Sequence, residues 1–215
     1  MEHYLNRVLA ALKGLGHAER RRMVSITGAP ASGKSTLAEA LVERLNADGM
    51  PSVLAPMDGF HLDNPILEAR NRLERKGAPD TFDAGGLVSL VKRLHAGETV
   101  YAPRFDRSIE TAIAGAIEIP ADVDWVVVEG NYLLLKDDPW YQLDAYFDFS
   151  VFLSVSESLL EKRLLERWLG HGFSEQDARA KAELNDLPNA QYVAQHSLPA
   201  MMTLRTEDPD RDGDD

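Results

Sequence analysis

Apolar residues along this chain recur in two different periods, and their alternation predicts strands interleaved with helices. Tyr4, Leu5, Val8, Leu9 and Leu12 fall at helical spacing and stop at Gly14 and Gly16, predicting a first helix over residues 2–15. Arg22-Met23-Val24-Ser25-Ile26-Thr27 reads as a short buried strand. Leu37, Leu41, Val42 and Leu45 mark the apolar face of a helix behind it. Residues 51–58 form a second short strand that ends in Asp58. A strongly charged helix is predicted over 64–75 and another over 84–95. Residues 99–105 and 111–119 read as a hairpin projecting from the main sheet. Val123 to Gly130 is an almost continuous β-branched run, as expected of a strand buried on both faces. Residues 147–155 form a further strand, followed by helices over about 156–169 and 174–186, with a last strand at 201–206.

Strands alternating with helices imply an α/β fold, a parallel sheet wrapped on both sides, with ligands bound at the carboxyl ends of its strands. The 215 residues suit a single domain over 1–206. Residues 207–215, polar and acidic, read as a disordered tail. A net charge of −12 without a basic stripe argues against a nucleic-acid surface. No cysteine is present, so disulfide and thiolate chemistry are excluded and a metal must sit on oxygen or histidine ligands. No apolar stretch approaches the length of a membrane span and no leader pattern is visible, so a cytoplasmic location without membrane contact is expected.

The chemistry concentrates between the first strand and the helix after it. Gly28-Ala29-Pro30-Ala31-Ser32-Gly33-Lys34-Ser35-Thr36 fits G-x-x-x-x-G-K-[ST], the loop that cradles nucleotide phosphates. Gly28 and Gly33 let the backbone turn its N–H groups inward, and the following helix adds its positive end. Ala29, Ala31, Ser32 and Thr36 complete the phosphate cradle, Lys34 reaches the β/γ-phosphates, and the Ser35 hydroxyl takes a place on Mg²⁺. Two acids close strands at the same sheet edge. Asp58 suits either a base that accepts a hydroxyl proton or a turn aspartate. Glu129, after four apolar residues, suits either a carboxylate that orders Mg²⁺ or a surface acid at a strand end. Arg163 and Arg167 lie four apart on one helix face, as a lid over phosphates or as a solvated face paired with Glu161 and Glu166.

Over roughly residues 20–195 these segments resemble the P-loop kinases that include uridine kinase, phosphoribulokinase and bacterial type I pantothenate kinase. Asp58-Gly59-Phe60 is similar to the family's Asp-x-Phe element, which implies that Asp58 is the catalytic base. Arg75-Lys76-Gly77 through Asp83 is similar to the pantothenate-kinase segment that shapes the acceptor site. Tyr101 to Arg107 sits where the acceptor-binding hairpin sits, and Glu129-Gly130 matches the Glu-Gly after the third strand. Arg163 and Arg167 sit where the family carries its lid. The nearest resemblance is to bacterial fructokinase-like kinases associated with fructose transport. Their similarity extends to Asn185-Asp186-Leu187-Pro188-Asn189-Ala190, which in related kinases borders the adenine pocket.

The resemblance implies a P-loop three-layer sandwich with a helical lid, and an ATP- and Mg²⁺-dependent kinase that phosphorylates a hydroxyl of a small metabolite. The acceptor would be sugar-like (fructose-like), nucleoside-like or pantothenate-like, lined by His61, Asp83, Tyr101 and Arg104. Gly59 and His61 replace the serine and tyrosine usual beside the uridine-kinase Phe, and the hairpin lacks the Tyr-x-His of pantothenate kinases. His61, Arg104 and Arg107 are therefore candidates to read a sugar or sugar phosphate. A nucleotide-dependent regulator with a protein partner is the competing class. The first helix or an exposed edge strand offers a surface for a homodimer.

Overall fold

The computed structural model describes residues 1–16 and 20–206; the expected acidic tail, 207–215, lies outside the described residues. The frame is a five-stranded parallel sheet in the order β2-β5-β1-β6-β7. Its strands are β1 (Arg22–Gly28), β2 (Ser52–Pro56), β5 (Trp125–Gly130), β6 (Phe149–Val155) and β7 (Met202–Thr206). A separate antiparallel hairpin pairs β3 (Val100–Asp106) with β4 (Thr111–Ile119), as the spacing predicted.

Every residue of β5 is buried, and the two-residue period sends its side chains alternately into two cores. Val126 and Val128, with Met23 of β1, pack beneath α4 (Ala84–His95) and the hairpin. Trp125 and Val127, with Val24 and Ile26, pack against α1 (Glu2–Gly14) and α2 (Lys34–Ala47). The result is the three-layer α/β sandwich expected of a P-loop fold. Val126, Val127 and Val128 are fully buried, each worth about 1.5–3 kcal/mol of transfer free energy. Tyr4 of α1 donates a 2.6 Å hydrogen bond from its hydroxyl to the Arg205 carbonyl, tying the first helix to β7.

Two helical predictions need correction. The helix expected over 64–75 is α3, Asn64–Ala69, followed by a 3-10 turn at Leu73–Arg75. Asn71, at φ 54°, breaks the run, a conformation that Asn tolerates. Within α3 only Leu67 is buried, so little packing holds a longer helix. After α5 (Glu157–Gly170), the helix expected over 174–186 splits into α6 (Glu175–Lys181) and a π-helical turn at Ala182–Asp186. A helix that the periodicity did not predict, α7 (Leu187–His196), continues from it, with Pro188 in its first turn where a missing N–H does no harm.

One close approach fixes the hairpin against the sheet. A Cβ at Gly59, in the 3-10 turn Met57–Phe60 that follows β2, would lie 2.3 Å from the Pro103 carbonyl oxygen of β3. The obstacle is backbone, so it cannot swing aside. Gly59→Ala should lower unfolding stability by about 1–3 kcal/mol. Urea denaturation checks this, with Gly14→Ala as the control, since Gly14 has no left-handed φ and nothing within 4 Å of an added Cβ.

Candidate active site

Between β1 and α2 the chain makes the phosphate-loop turn. Ala31 and Gly33 adopt left-handed φ of 61° and 93°. Gly28 passes so close to β6 that a Cβ would lie 2.7 Å from the Leu153 carbonyl. Helix α2 begins without a side-chain cap, so its first N–H groups remain available to an anion. Ala29 is buried beneath the loop with Leu160 and Ala190. Ser32 is buried, and its hydroxyl finds no partner among the described residues.

Glu129 stands beside this turn because β5 pairs in register with β1, Ile26 opposite Glu129. Its carboxylate lies 3.2 Å from the Ser35 hydroxyl and 3.6 Å from Lys34 Nζ. Burial pushes the carboxyl up from its ordinary range, and the Lys34 charge opposes that rise. The surface reading of Glu129 therefore falls away. Asp58 lies in the 3-10 turn after β2 and pairs with the Arg107 guanidinium of the hairpin.

These groups line one cavity of about 1300 Å³, which also takes in His61, Lys76, Phe105, Arg107, Asn131, Arg167 and Trp168. His61 Nδ1 lies 2.8 Å from the Asp58 carbonyl oxygen, and burial lowers the imidazole pKa. Lys76 is held by the Asn64 side chain at 2.7 Å and the Glu110 carbonyl at 3.0 Å, 5.0 Å from the Phe105 ring centre.

The lid is an aromatic and ionic cluster. Trp168 donates from Nε1 to Asp186 at 2.6 Å, and burial raises the Asp186 carboxyl pKa. Lys181 sits 4.9 Å and 5.0 Å from the Trp168 and Phe173 ring centres. Arg167 borders the main cavity and a second one of about 590 Å³ across the loop, where Ala31, Gly33 and Thr36 recur in the lining. Arg163 borders only the second cavity and donates to the Ala31 and Ser32 carbonyls at 3.4 and 3.3 Å, on the outer side of the loop.

Lys34, Ser35, Thr36, Asp58, Glu129, His61 and Arg167 are thus brought together, while three acceptor-site candidates are not. Asp83 caps α4 by accepting from the Gly86 N–H at 2.9 Å. Tyr101, 61% exposed, reaches Glu118 on the outside of the hairpin, and Arg104 is exposed there too. Strand alternation turns Tyr101 outward and buries Ala102. Within the 185–190 run, Asn185 donates to the Lys76 carbonyl at 2.9 Å and Ala190 packs under the loop. The residues that sequence reasoning missed are Phe105, Asn131 and Trp168, while Asp186, in the run expected at the adenine pocket, does line the cavity. Phe105 and Trp168 lay inside the quoted hairpin and lid segments, but nothing local marked which side they would face.

Residues 23–177 match the Phosphoribulokinase / Uridine kinase family. A solved structure provisionally described as a fructose transport system kinase, from Silicibacter sp. TM1040, is 46% identical. It covers 88% of this chain and 92% of its own, with a TM-score of 0.84. The uncharacterized Escherichia coli protein YggC is 33% identical over 95% of this chain and 85% of its own. A pantothenate kinase from Enterococcus faecalis is 32% identical over 68% of this chain, which spans only 49% of that relative. Phosphoribulokinase from Rhodobacter spheroides, at 10% identity and a TM-score of 0.64, shares the fold alone.

The raised Glu129 pKa carries a signed consequence. Folding holds the proton more tightly than the unfolded chain does, so this group's contribution to stability falls as pH rises above the ordinary value of 4.5. Relative to Glu129→Gln, the native protein should lose unfolding free energy between pH 4.5 and neutrality. Urea denaturation of both at the two pH values tests the sign.

Proposed function

Because this chain belongs to the Phosphoribulokinase / Uridine kinase family, we propose that it is an ATP-dependent kinase of a small-molecule hydroxyl, with Asp58 as its base. The supporting observation is that one cavity joins the phosphate loop, the buried Glu129 and the Asp58 carboxylate. In the reaction, Asp58 takes the proton of the acceptor hydroxyl. The freed oxygen bonds to the γ-phosphorus as the bond to the β–γ bridging oxygen breaks, and ADP departs. Arg107 must yield its place on Asp58 to the acceptor hydroxyl, then remains near enough to hold it.

The donor set fits Mg²⁺. Ser35 and Glu129 supply two oxygen ligands side by side, and no group of three or more His, Asp or Glu side chains forms a closed cage among the described residues. A cation that keeps waters and binds phosphate oxygens suits so open a set. When bound, it neutralises charge on the transferring phosphate. Lys34 and the loop N–H groups orient the phosphates, and Arg167 closes over them. Arg163 acts through the loop, holding its carbonyls outward so that its N–H groups face in. Among the described residues no helix is long and apolar enough to cross a membrane. The description of the 46% identical relative makes sugars the first acceptors to test.

The test is ADP release from Mg·ATP with a panel of sugars, sugar phosphates, nucleosides and pantothenate. One acceptor class should raise turnover, and Asp58→Asn should lower the stimulated rate about 10²–10⁴-fold. Stimulation that survives Asp58→Asn removes the base assignment. Turnover raised by a protein partner instead of any small acceptor favours a regulatory ATPase. Arg163→Ala should raise the KM for ATP several-fold, leaving that for the acceptor unchanged; steady-state kinetics in both substrates reads the difference.

A further inference from the structure

We infer that Arg107 is the residue by which the site tells an acceptor from water: its guanidinium occupies Asp58 until an acceptor displaces it, and so spares ATP from hydrolysis. This deepens the kinase reading above and rests on it. A base able to take a proton from a substrate hydroxyl can take one from water as well. In that side reaction Asp58 accepts a water proton and the remaining hydroxide oxygen bonds to the γ-phosphorus. The bond to the β–γ bridging oxygen breaks, and ADP and inorganic phosphate leave. A kinase therefore has to keep its base from water while leaving it open to a substrate.

The fold builds the Asp58–Arg107 pair with some care. The two residues lie 49 apart in the chain. Arg107 opens the turn 107–110 between β3 and β4, and that turn is braced at both ends. Asp106 accepts from the Ser108 N–H at 2.9 Å and from its hydroxyl at 2.6 Å. Lys76 donates to the Glu110 carbonyl at 3.0 Å. A bare Gly59 lets the Pro103 backbone press on the turn that carries Asp58. Phe105 then packs on His61 at 4.6 Å between centroids, with the Arg107 guanidinium 5.5 Å from the same Phe105 ring. Among the described residues Arg107 makes this one ion pair.

The pair discriminates because displacing it needs binding energy. The guanidinium donates to Asp58 Oδ2, taking a lone pair that a base uses and holding the carboxylate against rotation. Water gains nothing elsewhere in the cleft to offset moving it. An acceptor that fills the space between hairpin and phosphate loop does, and part of its binding energy goes into turning the guanidinium aside. The two side chains are 50% and 30% exposed, so the pair is one that a bound molecule can open. A pair so exposed alters a rate by about fivefold.

The test needs ATP and water alone. Release of inorganic phosphate from Mg·ATP, with no acceptor added, is measured on the whole chain. Arg107→Gln, which loses the charge but keeps much of the length, should raise this hydrolysis about fivefold. Arg107→Lys, still able to pair with Asp58, should stay near the native rate. Adding Asp58→Asn to Arg107→Gln should return the rate to that of Asp58→Asn alone, a pattern that loosened packing would not produce. Arg107→Ala repeats the measurement without a side-chain amide that could itself bond to Asp58, and urea midpoints confirm that each variant is folded. Hydrolysis unchanged in both Arg107→Gln and Arg107→Ala overturns the inference, as does a rise that survives Asp58→Asn. Failure of the kinase reading is a different result: no acceptor on the panel stimulates ADP release, and Asp58→Asn alters no rate.

Discussion

A buried carboxylate at the centre of the sheet, Glu129, is the constraint to which the other parts of the site answer. Taking a charge out of water is costly unless a cation and hydrogen-bond donors meet it. Lys34 and Ser35 meet it, and they can do so only if the loop after β1 folds back over the end of β5. A slip of one residue between the two strands would turn Glu129 into a hydrophobic layer. The Thr27 hydroxyl adds a 3.0 Å bond to the Asn131 carbonyl at the same strand ends. Register, loop shape and charge are therefore one condition, and a phosphate-binding edge results from meeting it.

The acceptor side is organised by close packing instead of charge. With only hydrogen on Gly59, the Pro103 backbone can press against the turn that carries Asp58. That contact brings Phe105 onto His61 and Arg107 onto Asp58. Gly130 plays the matching part at the end of β5, where a Cβ would lie 2.4 Å from Met57 Cβ. Asp58, His61 and the hairpin are thus packed together, while Asn185 links the lid to the Lys76–Gly77 turn.

The donor half of the site was legible in the sequence because its geometry is local. The loop motif lies between one strand and one helix, and the spacing of two glycines, a lysine and a serine carries the whole arrangement. The place of Glu129 near the end of β5 followed from an apolar run that stopped at an acid, and Asp58 was expected to end its strand but lies two residues past it, in the 3-10 turn. The acceptor half depends on where a hairpin lands, and the identity of Tyr101 or Arg104 says nothing of which face its strand presents. Asp83 sits before a helix, where capping competes with catalysis for a carboxylate, and here capping engages it. The broken helix after Ala69 and the unexpected α7 have a common cause. Short segments with few buried side chains follow tertiary packing more than their own periodicity.

The strand order has a consequence for how the protein comes into being. Val24 in β1 is flanked by Val127 of β5 and Phe149 of β6, both supplied by much later parts of the chain. During synthesis the complete phosphate-binding motif leaves the ribosome long before either neighbour exists. Until then β1 is an apolar strand with two open edges, the kind of segment that chaperones protect and that associates wrongly when left alone. Nucleotide can reward folding only after β6 has emerged, so ATP stabilises the finished enzyme and offers nothing to the nascent one.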